Sequence, residues 1–513
     1  MNAQPPAYLR GTVNLPNESC AAFVDHAAAQ HGDRIALVRG DRSLSYRDLG
    51  ALVARFRRRL TQAGLAEGHH LAIAMAISPQ QIALTLAALQ LGVIVVPIYD
   101  NAPAAELRSK CVVGGVHALA VDEGAADRRR ADLAGVSPQP FLLPIDADLH
   151  GDAGIASPIG AADPDGLAAT PFSSGSTGEP KLILLSHRNV LASRLLFADA
   201  TRLVASSVLV HFLPLSHVYG WMALTAALGA GAKVILHDRY DFDRLIADIE
   251  QHQANAGFAV SQTIIDLDRA GPDTARRLAS LRWLNTGAAP MAPATIAAVA
   301  RRFGLTITTG YGLTEAAPVA HTPVERVELV DVATVGFPVA NTVVQVVDPD
   351  DPQRPMRPGM PGELAVVGPQ VARGYRLADG RIDRTSWLAD GALRTGDLVE
   401  FDAAGRLRIV GRIKNIIKYK GYSVAPAELE AILAGHPGIR DCVVLGKPDH
   451  EAGEIPVAFA VTRGEPAPSP DELIAFMRSQ VAPQRCVRQV VLVDAIPRSG
   501  AGKVMSTELL ARL

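Results

Sequence analysis

The densest group of side chains that could do chemistry lies in PFSSGSTGEPKLILL, residues 171–185. Glycines let such a segment curl tightly and aim its N–H groups and hydroxyls inward, which suits an anion. A lysine then adds a positive charge in front of a strand-like run. The alternative is a flexible surface loop, because Ser/Gly clusters usually mark turns. The residues concerned are Ser173, Ser174, Gly175, Ser176, Thr177, Gly178 and Lys181.

Two well-known phosphate and nucleophile motifs do not fit this segment. The P-loop requires G-x-x-x-x-G-K-[ST], whereas Gly175 and Gly178 are three apart and Leu182 follows the lysine. The nucleophile elbow requires G-x-S-x-G, and Ser176 stands in S-G-S-T-G. The segment is therefore a phosphate cradle of another kind, or an ordinary loop.

Composition narrows the class of protein. The chain has 513 residues, 48% of them hydrophobic and 20% charged, which predicts a globular protein of two or three domains. The net charge of -2 and scattered basic residues argue against nucleic acid as a partner. The four cysteines are far apart and predict neither disulfides nor a zinc site, so we expect a cytoplasmic protein: Cys20, Cys111, Cys442 and Cys486.

Residues 203–232 lack Asp, Glu, Lys and Arg, which raises the possibility of a membrane helix. Pro214, His217 and several glycines interrupt this run, so it predicts a strand, a turn and a buried helix instead. The N-terminus lacks the layout of a signal peptide. We expect no membrane span, and either a monomer or a homodimer.

The elements that must position these residues alternate between short apolar strands and helices. A βαβ unit is predicted within residues 71–99, from the strand LAIAMAI, the helix QQIALTLAALQLG and the strand GVIVVPIY. The same alternation recurs up to ITTGYG near residue 310. We predict an α/β fold whose large N-terminal domain, residues 1–411, has two βαβ-type layered subdomains. A distorted antiparallel β-barrel follows at about 330–411. A small, mobile α+β C-terminal domain covers 412–513.

Five further segments follow in order: LNTGAAPM (284–291), TTGYGLTEAAPVAH (308–321), LRTGDL (393–398), GRIKNIIKYKGYSVAPAELE (411–430) and PRSGAGKV (497–504). Each segment alone is weak evidence for a function. Together with the opening segment they resemble the adenylate-forming enzymes, which include acyl-CoA synthetases, adenylation domains of nonribosomal peptide synthetases, and luciferase. The likeness is strongest to the hydroxycinnamate-CoA ligase and luciferase branch. One departure is Leu182, where the family usually has glycine.

The resemblance implies a site for ATP and Mg²⁺. The seven residues of the Ser/Gly segment named above would hold the β- and γ-phosphates. Tyr311 would lie against the adenine face, Asp397 would bind the ribose, and Arg412 would add a second ribose or phosphate contact. Thr314 would contact the α-phosphate, and Glu315 would ligate Mg²⁺, although an acid there could also cap a helix. The remaining implied residues are Gly287, Ala288 and Ala289 along the base edge, and Lys503 at the forming adenylate. Lys503, Thr314, Glu315 and Lys181 would be the catalytic residues.

The implied reaction has two steps. A carboxylate attacks the α-phosphorus of ATP, pyrophosphate leaves, and a thiol then displaces AMP from the acyl-adenylate to form a thioester. Between the steps the C-terminal domain would rotate about Lys414, and Lys418 and Gly421 would line a coenzyme A tunnel. The alternative is that these lysines are an ordinary linker residue and a solvated face.

The implied acyl pocket includes His217, Tyr219, Gly287, Gly312 and Pro318. A histidine among apolar residues is also often a core residue, so both readings of His217 stay open. HFLPLSHVYG, residues 211–220, contains no aspartate that could hold an ammonium group. This argues against an α-amino acid and favours a neutral aryl or aliphatic carboxylic acid.

The sequence favours an acyl- or aryl-CoA ligase. A free-standing adenylation enzyme that loads an acyl carrier protein is the close alternative, since no carrier domain is expected after Lys503. A luciferase-like oxygenation is a further variant. A non-catalytic nucleotide- or acyl-binding protein is the alternative of another class. Against it, the charged site residues are all present: Lys181, Glu315, Asp397, Arg412 and Lys503.

Overall fold

The computed structural model describes residues 8, 10–148, 163–173, 181–287, 291, 293–357, 359–420, 422–464, 466–481, 486–498 and 504–513. The helices in these ranges are α1 (Phe23–His31), α2 (Tyr46–Gln62), α3 (Pro79–Gln90), α4 (Ala104–Gly114), α5 (Ala126–Asp132), α6 (His187–Thr201), α7 (Val218–Gly229), α8 (Phe242–His252), α9 (Ser261–Arg269), α10 (Thr274–Arg277), α11 (Pro293–Phe303), α12 (Pro426–Ala434), α13 (Pro470–Arg478) and α14 (Ser506–Leu510).

The strands that precede residue 330 are β1 (Ile35–Arg39), β2 (Arg42–Ser45), β3 (His70–Ala74), β4 (Ile94–Pro97), β5 (Ala118–Asp122), β6 (Phe141–Ile145), β7 (Leu167–Ala169), β8 (Leu182–Ile183), β9 (Leu185–Ser186), β10 (Val208–His211), β11 (Lys233–Leu236), β12 (Ala256–Ala259), β13 (Trp283–Thr286), β14 (Thr306–Leu313) and β15 (Ala316–His321). The later strands are β16 (Phe337–Pro338), β17 (Val343–Val347), β18 (Gly362–Val367), β19 (Tyr375–Arg376), β20 (Ile382–Asp383), β21 (Leu393–Phe401), β22 (Leu407–Arg412), β23 (Ile417–Tyr419), β24 (Tyr422–Val424), β25 (Ile439–Asp449), β26 (Gly453–Thr462) and β27 (Gln489–Leu492).

The first layered unit is a six-stranded sheet in the order β6-β5-β3-β4-β7-β9, parallel except for β9. Helix α3 connects β3 to β4 and is buried along its whole length. It begins cleanly because the Ser78 hydroxyl accepts the Gln81 N–H and Pro79 occupies the first turn. The predicted βαβ arrangement is confirmed here.

The second layered unit consists of two sheets, in the orders β10-β11-β1-β2 and β12-β13-β14-β15-β16. They meet where the Asn255 N–H, just before β12, donates to the Val208 carbonyl of β10 at 2.9 Å. The charge-free run at 203–232 folds into β10 and the buried helix α7. Of the helices in the described ranges, none is both long and apolar enough to cross a bilayer.

An antiparallel sheet in the order β17-β18-β21-β22 follows, and a small antiparallel sheet, β20-β19-β8, includes the strand that begins directly after Lys181. Antiparallel strand pairing was predicted for this region and is confirmed. The strand pairs of the described residues leave this sheet open at β17 and β22, so the barrel expected at about 330–411 is an open sheet rather than a closed one.

The C-terminal residues form their own α+β unit. Its sheet has the order β24-β23-β26-β25 with β27 parallel to β26, and α12 and α13 contribute to a separate apolar core. Sheet membership changes between Arg412, which ends β22, and Ile417, which begins β23. The exact domain boundary and the mobility of this unit stay predictions.

Candidate active site

The two ends of the Ser/Gly segment are held together as a hairpin base. The Ser173 N–H donates to the Lys181 carbonyl at 2.9 Å, and Phe172 pairs with Leu182 as an antiparallel bridge. Leu182 is fully buried in β8 and pairs with Arg376 of β19. The side chain that departs from the family pattern thus packs behind the loop. The predicted residues Ser174, Gly175, Ser176, Thr177 and Gly178 lie outside the described residues.

The Lys181 ammonium lies beside one carboxylate and one aromatic ring. Its Nζ is 3.0 Å from Asp383 Oδ2 and 5.4 Å from the ring centroid of Tyr375. Hydrogen bonds from the backbone and hydroxyl of Thr385, and then from Lys181, lower the pKa of Asp383 to about 2. Asp383 therefore stays ionised at neutral pH and pairs with Lys181 in this structure.

The residues Thr314 and Glu315 form a two-residue turn between β14 and β15, which pair at Leu313 and Ala316. The Tyr375 hydroxyl donates to Glu315 Oε1 at 2.8 Å, while its ring lies beneath Lys181. The Glu315 carboxylate and the Lys181 ammonium therefore share Tyr375 as a neighbour. In the described residues no cluster of three or more acidic, cysteine or histidine side chains forms a ready-made metal site.

The backbone behind this turn is closely packed. A Cβ on Gly310 would come within 2.9 Å of the His321 ring, and one on Gly287 within 3.1 Å of the Gly310 carbonyl oxygen. Burial lowers the pKa of His321 to about 3, so its neutral ring accepts from the Asn285 amide at 2.8 Å. Glycine at these positions brings β13 and the β14–β15 hairpin into contact. Ala288 and Ala289 lie outside the described residues.

Three residues predicted to bind the nucleotide, Tyr311, Asp397 and Arg412, contact one another in a second cluster. Asp397 is only 2% exposed, and its oxygens accept from the Tyr311 hydroxyl and from Arg412 Nε, each at 2.5 Å. Burial, and then the charge of Asp397, raises the pKa of Tyr311 well above its usual value. Gly396, directly before Asp397, has a positive φ of 73°, which glycine adopts without steric cost. The Arg412 side chain stays half exposed.

An apolar cavity lies beside the Thr314–Glu315 turn and is lined by Thr314 itself. Helix α3 contributes one wall, and the start of α7 with His217 and Trp221 contributes another. His217 also caps α7, because its Nδ1 accepts the Tyr219 N–H at 3.2 Å. The structure thus brings two predicted residues, Thr314 and His217, to one cavity.

The other predicted pocket residues are not part of the described cavity wall. The Tyr219 hydroxyl donates to Asn285 Oδ1 at 2.9 Å within the core. The Pro318 carbonyl accepts from Gln370, which does line the cavity. Gly312 packs against Ala317, and Gly287 lies on β13's end. Their contact with an acyl group stays a prediction.

In the C-terminal unit the described residues frame the predicted loop of Lys503 without including it. Arg498 pairs with Val504 across the loop base, and Arg498 Nη2 lies 3.1 Å from both oxygens of Asp441. Lys414 is the middle residue of the short 3-10 helix Ile413–Asn415 that follows β22, and the Lys418 N–H donates to Glu454 at 2.8 Å. Lys503 and Gly421 lie outside the described residues.

Sequence reasoning missed Asp383 and Tyr375, which position Lys181 and Glu315. Both residues lie near position 380 in a region of short strands. No neighbouring motif in the sequence marks Asp383 as a functional residue. Only the pairing of β8 with β19 brings them to the loop. It also missed the α3 wall of the cavity, because a helix that is buried all round shows no polar face.

The fold and site define an adenylate-forming α/β enzyme with a large N-terminal and a small C-terminal unit. The family model of the AMP-binding enzymes matches residues 24–376, and that of the AMP-binding enzyme C-terminal domain matches 428–503. The chain therefore belongs to the AMP-binding enzyme family. The predicted resemblance is confirmed.

Relatives and solved structures cover nearly the whole chain. 4-coumarate–CoA ligase-like 9 of Oryza sativa subsp. japonica is 33% identical over 98% of this chain and 94% of its own length. 4-coumarate–CoA ligase 5 of the same organism is 30% identical over 96% and 94%. The amide bond synthetase McbA from Marinactinospora thermotolerans superposes with a TM-score of 0.85 at 27% identity, covering 96% of this chain and 100% of that one.

Proposed function

We propose that the protein is an AMP-forming acid–CoA ligase that activates a carboxylic acid with an apolar, uncharged body. One observation carries the proposal: the turn Thr314–Glu315 faces the apolar cavity with Thr314 and adjoins the phosphate-loop lysine through Glu315 and Tyr375. A carboxylate at this turn would meet both the cavity for its tail and the site for the nucleotide. The names of the relatives, 4-coumarate–CoA ligases, support coenzyme A as the acceptor.

The charged residues fit a bound nucleotide. Lys181 would exchange Asp383 for a phosphate oxygen, and the N–H groups of residues 174–178 with the hydroxyl of Ser173 would complete the cradle. Asp397, held by Tyr311 and Arg412, would accept hydrogen bonds from the ribose. The stretch Gly287, Ala288 and Ala289 would follow the edge of the base.

A magnesium ion fits Glu315. Tyr375 occupies Oε1 of this carboxylate, and a hard cation prefers carboxylate and phosphate oxygens. When bound, Mg²⁺ would neutralise charge on the triphosphate. The protein's own contribution would be alignment, because the acid oxygen and the α-phosphorus must approach in line. Lys503 would add a positive charge where charge redistributes in the transition state.

The second step requires a thiol at the adenylate. We propose that the C-terminal unit turns at Lys414, in the short 3-10 helix Ile413–Asn415 after β22, and brings Lys418 and Gly421 to the site. A carrier protein bearing phosphopantetheine is the alternative acceptor, because it presents the same thiol. The four free cysteines fit a reducing compartment, which supports the cytoplasm as its location.

The test is a mass-spectrometric assay with ATP, Mg²⁺ and a panel of aromatic and straight-chain acids, run with coenzyme A or with hydroxylamine. Hydroxylamine traps the acyl-adenylate as a hydroxamate without any second protein. Acyl-CoA together with AMP supports the proposal. Hydroxamate without acyl-CoA points to a carrier-protein acceptor. Neither product with any acid would contradict acid activation and favour a non-catalytic binder.

A further inference from the structure

Tyr375 contacts both charged side chains at the phosphate end of the proposed site. Its hydroxyl donates to Glu315 Oε1 at 2.8 Å, and Lys181 Nζ lies 5.4 Å from the centroid of its ring. Within the described ranges no ion pair joins Lys181 to Glu315, since Lys181 pairs with Asp383 instead. Tyr375 is thus the shared neighbour of a cation and an anion that stay separate.

Three contacts fix the position of the Tyr375 ring. β19 is the middle strand of its sheet, so Tyr375 pairs with Ile183 of β8 on one side and with Asp383 of β20 on the other. Trp387 packs against the ring edge to face, with the two centroids 5.2 Å apart. A ring held in this way has little freedom to turn, so its hydroxyl keeps one direction.

The segment that carries Tyr375 also holds the backbone of Glu315. The Ala372 N–H, three residues before Tyr375, donates to the Glu315 carbonyl at 2.7 Å. Burial, and then the charge of Glu315, raises the pKa of Tyr375 well above its usual value, so the hydroxyl stays protonated and donates its hydrogen. Residues 372–375 therefore fix both the main chain and the carboxylate of Glu315.

The two oxygens of the Glu315 carboxylate are not equivalent. Oε1 accepts the hydrogen bond from Tyr375. Glu315 is half-buried, and its Oε2 accepts no hydrogen bond within the described ranges and stays accessible to solvent. Because Oε1 already shares its negative charge with a hydrogen bond, Oε2 is the better ligand for a cation.

This asymmetry favours one divalent cation over another. Mg²⁺ is small, demands near-octahedral geometry, and is usually bound by one or two carboxylates together with phosphate oxygens and water. Ca²⁺ is larger, takes more oxygen ligands, and often uses both oxygens of one carboxylate. A carboxylate that offers a single oxygen therefore suits Mg²⁺ better than Ca²⁺.

We propose that Tyr375 is a positioning residue that restricts Glu315 to one metal-binding oxygen and thereby selects Mg²⁺ over Ca²⁺ as the partner of the nucleotide. The inference rests on the proposed function, because it places ATP and its cation beside Glu315. Tyr375→Phe removes the hydroxyl but keeps the ring and its strand pairs. It should free Glu315 to bind a cation through both oxygens and leave the surroundings of Lys181 unchanged.

The experiment measures ATP binding by isothermal titration calorimetry without any acid substrate, so the result does not depend on turnover. Wild type and Tyr375→Phe are compared in Mg²⁺, in Ca²⁺ and in EDTA. We expect the ratio of the ATP affinity in Mg²⁺ to that in Ca²⁺ to fall about fivefold or more in the variant, within the effect of one hydrogen bond to a charged group. In EDTA the variant should match the wild type. An unchanged ratio would overturn the inference.

Tyr240→Phe is the matched control. The Tyr240 hydroxyl also donates to a carboxylate, Asp266 Oδ2, at 2.7 Å, but this pair lies outside the proposed site. The control should keep the wild-type ratio, and an equal fall in both variants would refute the assignment. A purely structural role of Tyr375 would weaken ATP binding equally in Mg²⁺, Ca²⁺ and EDTA, which would also refute it.

A double variant tests whether the effect of Tyr375 passes through Glu315. In a Glu315→Gln background, Tyr375→Phe should not change the ratio of affinities further. A further fall would show that Tyr375 acts on the cation by another route and would overturn the inference. Failure of the wild type to bind ATP in any of the three conditions would instead contradict the proposed function itself, so the two failures are distinguishable.

Discussion

Lys181 Nζ lies 3.0 Å from Asp383 Oδ2, although 202 positions separate the two residues in the chain. The contact exists because β8, which begins directly after Lys181, pairs with β19, and β19 pairs with β20, which ends at Asp383. The carboxylate occupies the position where a phosphate oxygen could otherwise meet the ammonium. Under the proposed function, nucleotide binding would exchange this carboxylate for a phosphate oxygen.

We predict that Asp383→Asn lowers the apparent KM for ATP about two- to fivefold. Asparagine retains an oxygen for the Thr385 bonds but removes the charge that competes for Lys181, and a partly exposed ion pair contributes up to about 1 kcal/mol. Initial rates at varied ATP measure the effect. A higher KM would mean that the ion pair orients the lysine. In a Lys181→Met background the substitution should have no effect.

We predict that Asp397→Asn raises the KM for ATP by roughly 10- to 100-fold, since hydrogen bonds to a charged group contribute about 1.5 to 3 kcal/mol. The variant keeps the shape of the side chain but leaves Arg412 without its ion pair. Glu400→Gln is the matched control, because Glu400 lies on the same strand and pairs with Arg408 outside the site. Equal effects of both variants would argue for a general weakening of β21.

The parts of this site that follow from sequence are those built from contiguous segments. The turn at Thr314 and the carboxylate after Gly396 are local, so their positions are predictable from residue type and order. The Lys181–Asp383 pair and the α3 wall arise from strand pairing and packing between distant segments. No local pattern predicts them, because the sequence around Asp383 is that of a common surface turn and helix α3 has no polar face.

In the fold, too, local features follow from the sequence and long-range features do not. Buried strands and α3 were predictable from apolar runs with a serine-proline start. Closure of the antiparallel part was expected but is not seen in the described strand pairs. Closure depends on whether edge strands such as β17 and β22 meet, which is a question of long-range geometry rather than of local alternation.

Glu430 in α12 should make the stability of the protein depend on pH. Burial raises the pKa of its carboxyl to about 7, although the Val444 N–H and the charge of Arg498 favour the ionised form and Asp441 opposes it. The folded state binds the proton more tightly than the unfolded chain, whose carboxyl titrates near the ordinary value of 4.5. This contribution is present below pH 4.5 and is lost as the pH rises through 7.

We therefore predict that Glu430→Gln, which stays neutral and keeps an acceptor for Val444, melts above the wild type at pH 8. At pH 5 the two proteins should melt alike. The difference is at most about 3 kcal/mol, because each pKa unit corresponds to about 1.4 kcal/mol. Melting temperatures at pH 5, 6, 7 and 8 measure it. A constant difference across this range would show that Glu430 does not titrate there.

The last prediction concerns the loop whose base is the Arg498–Val504 bridge, held to β25 through Asp441. Lys503→Ala should lower the rate of adenylate formation about 10²- to 10³-fold, the typical effect of removing one electrostatic contact to a transition state. The variant should still convert chemically prepared acyl-adenylate and coenzyme A to the thioester at a near wild-type rate, because the second step would use Lys418 and Gly421 instead. Stopped assays of each half-reaction separate these outcomes, with Lys447→Ala as a control on β25. Equal loss of both half-reactions would argue against a rotating C-terminal unit and would place Lys503 at the site throughout the cycle.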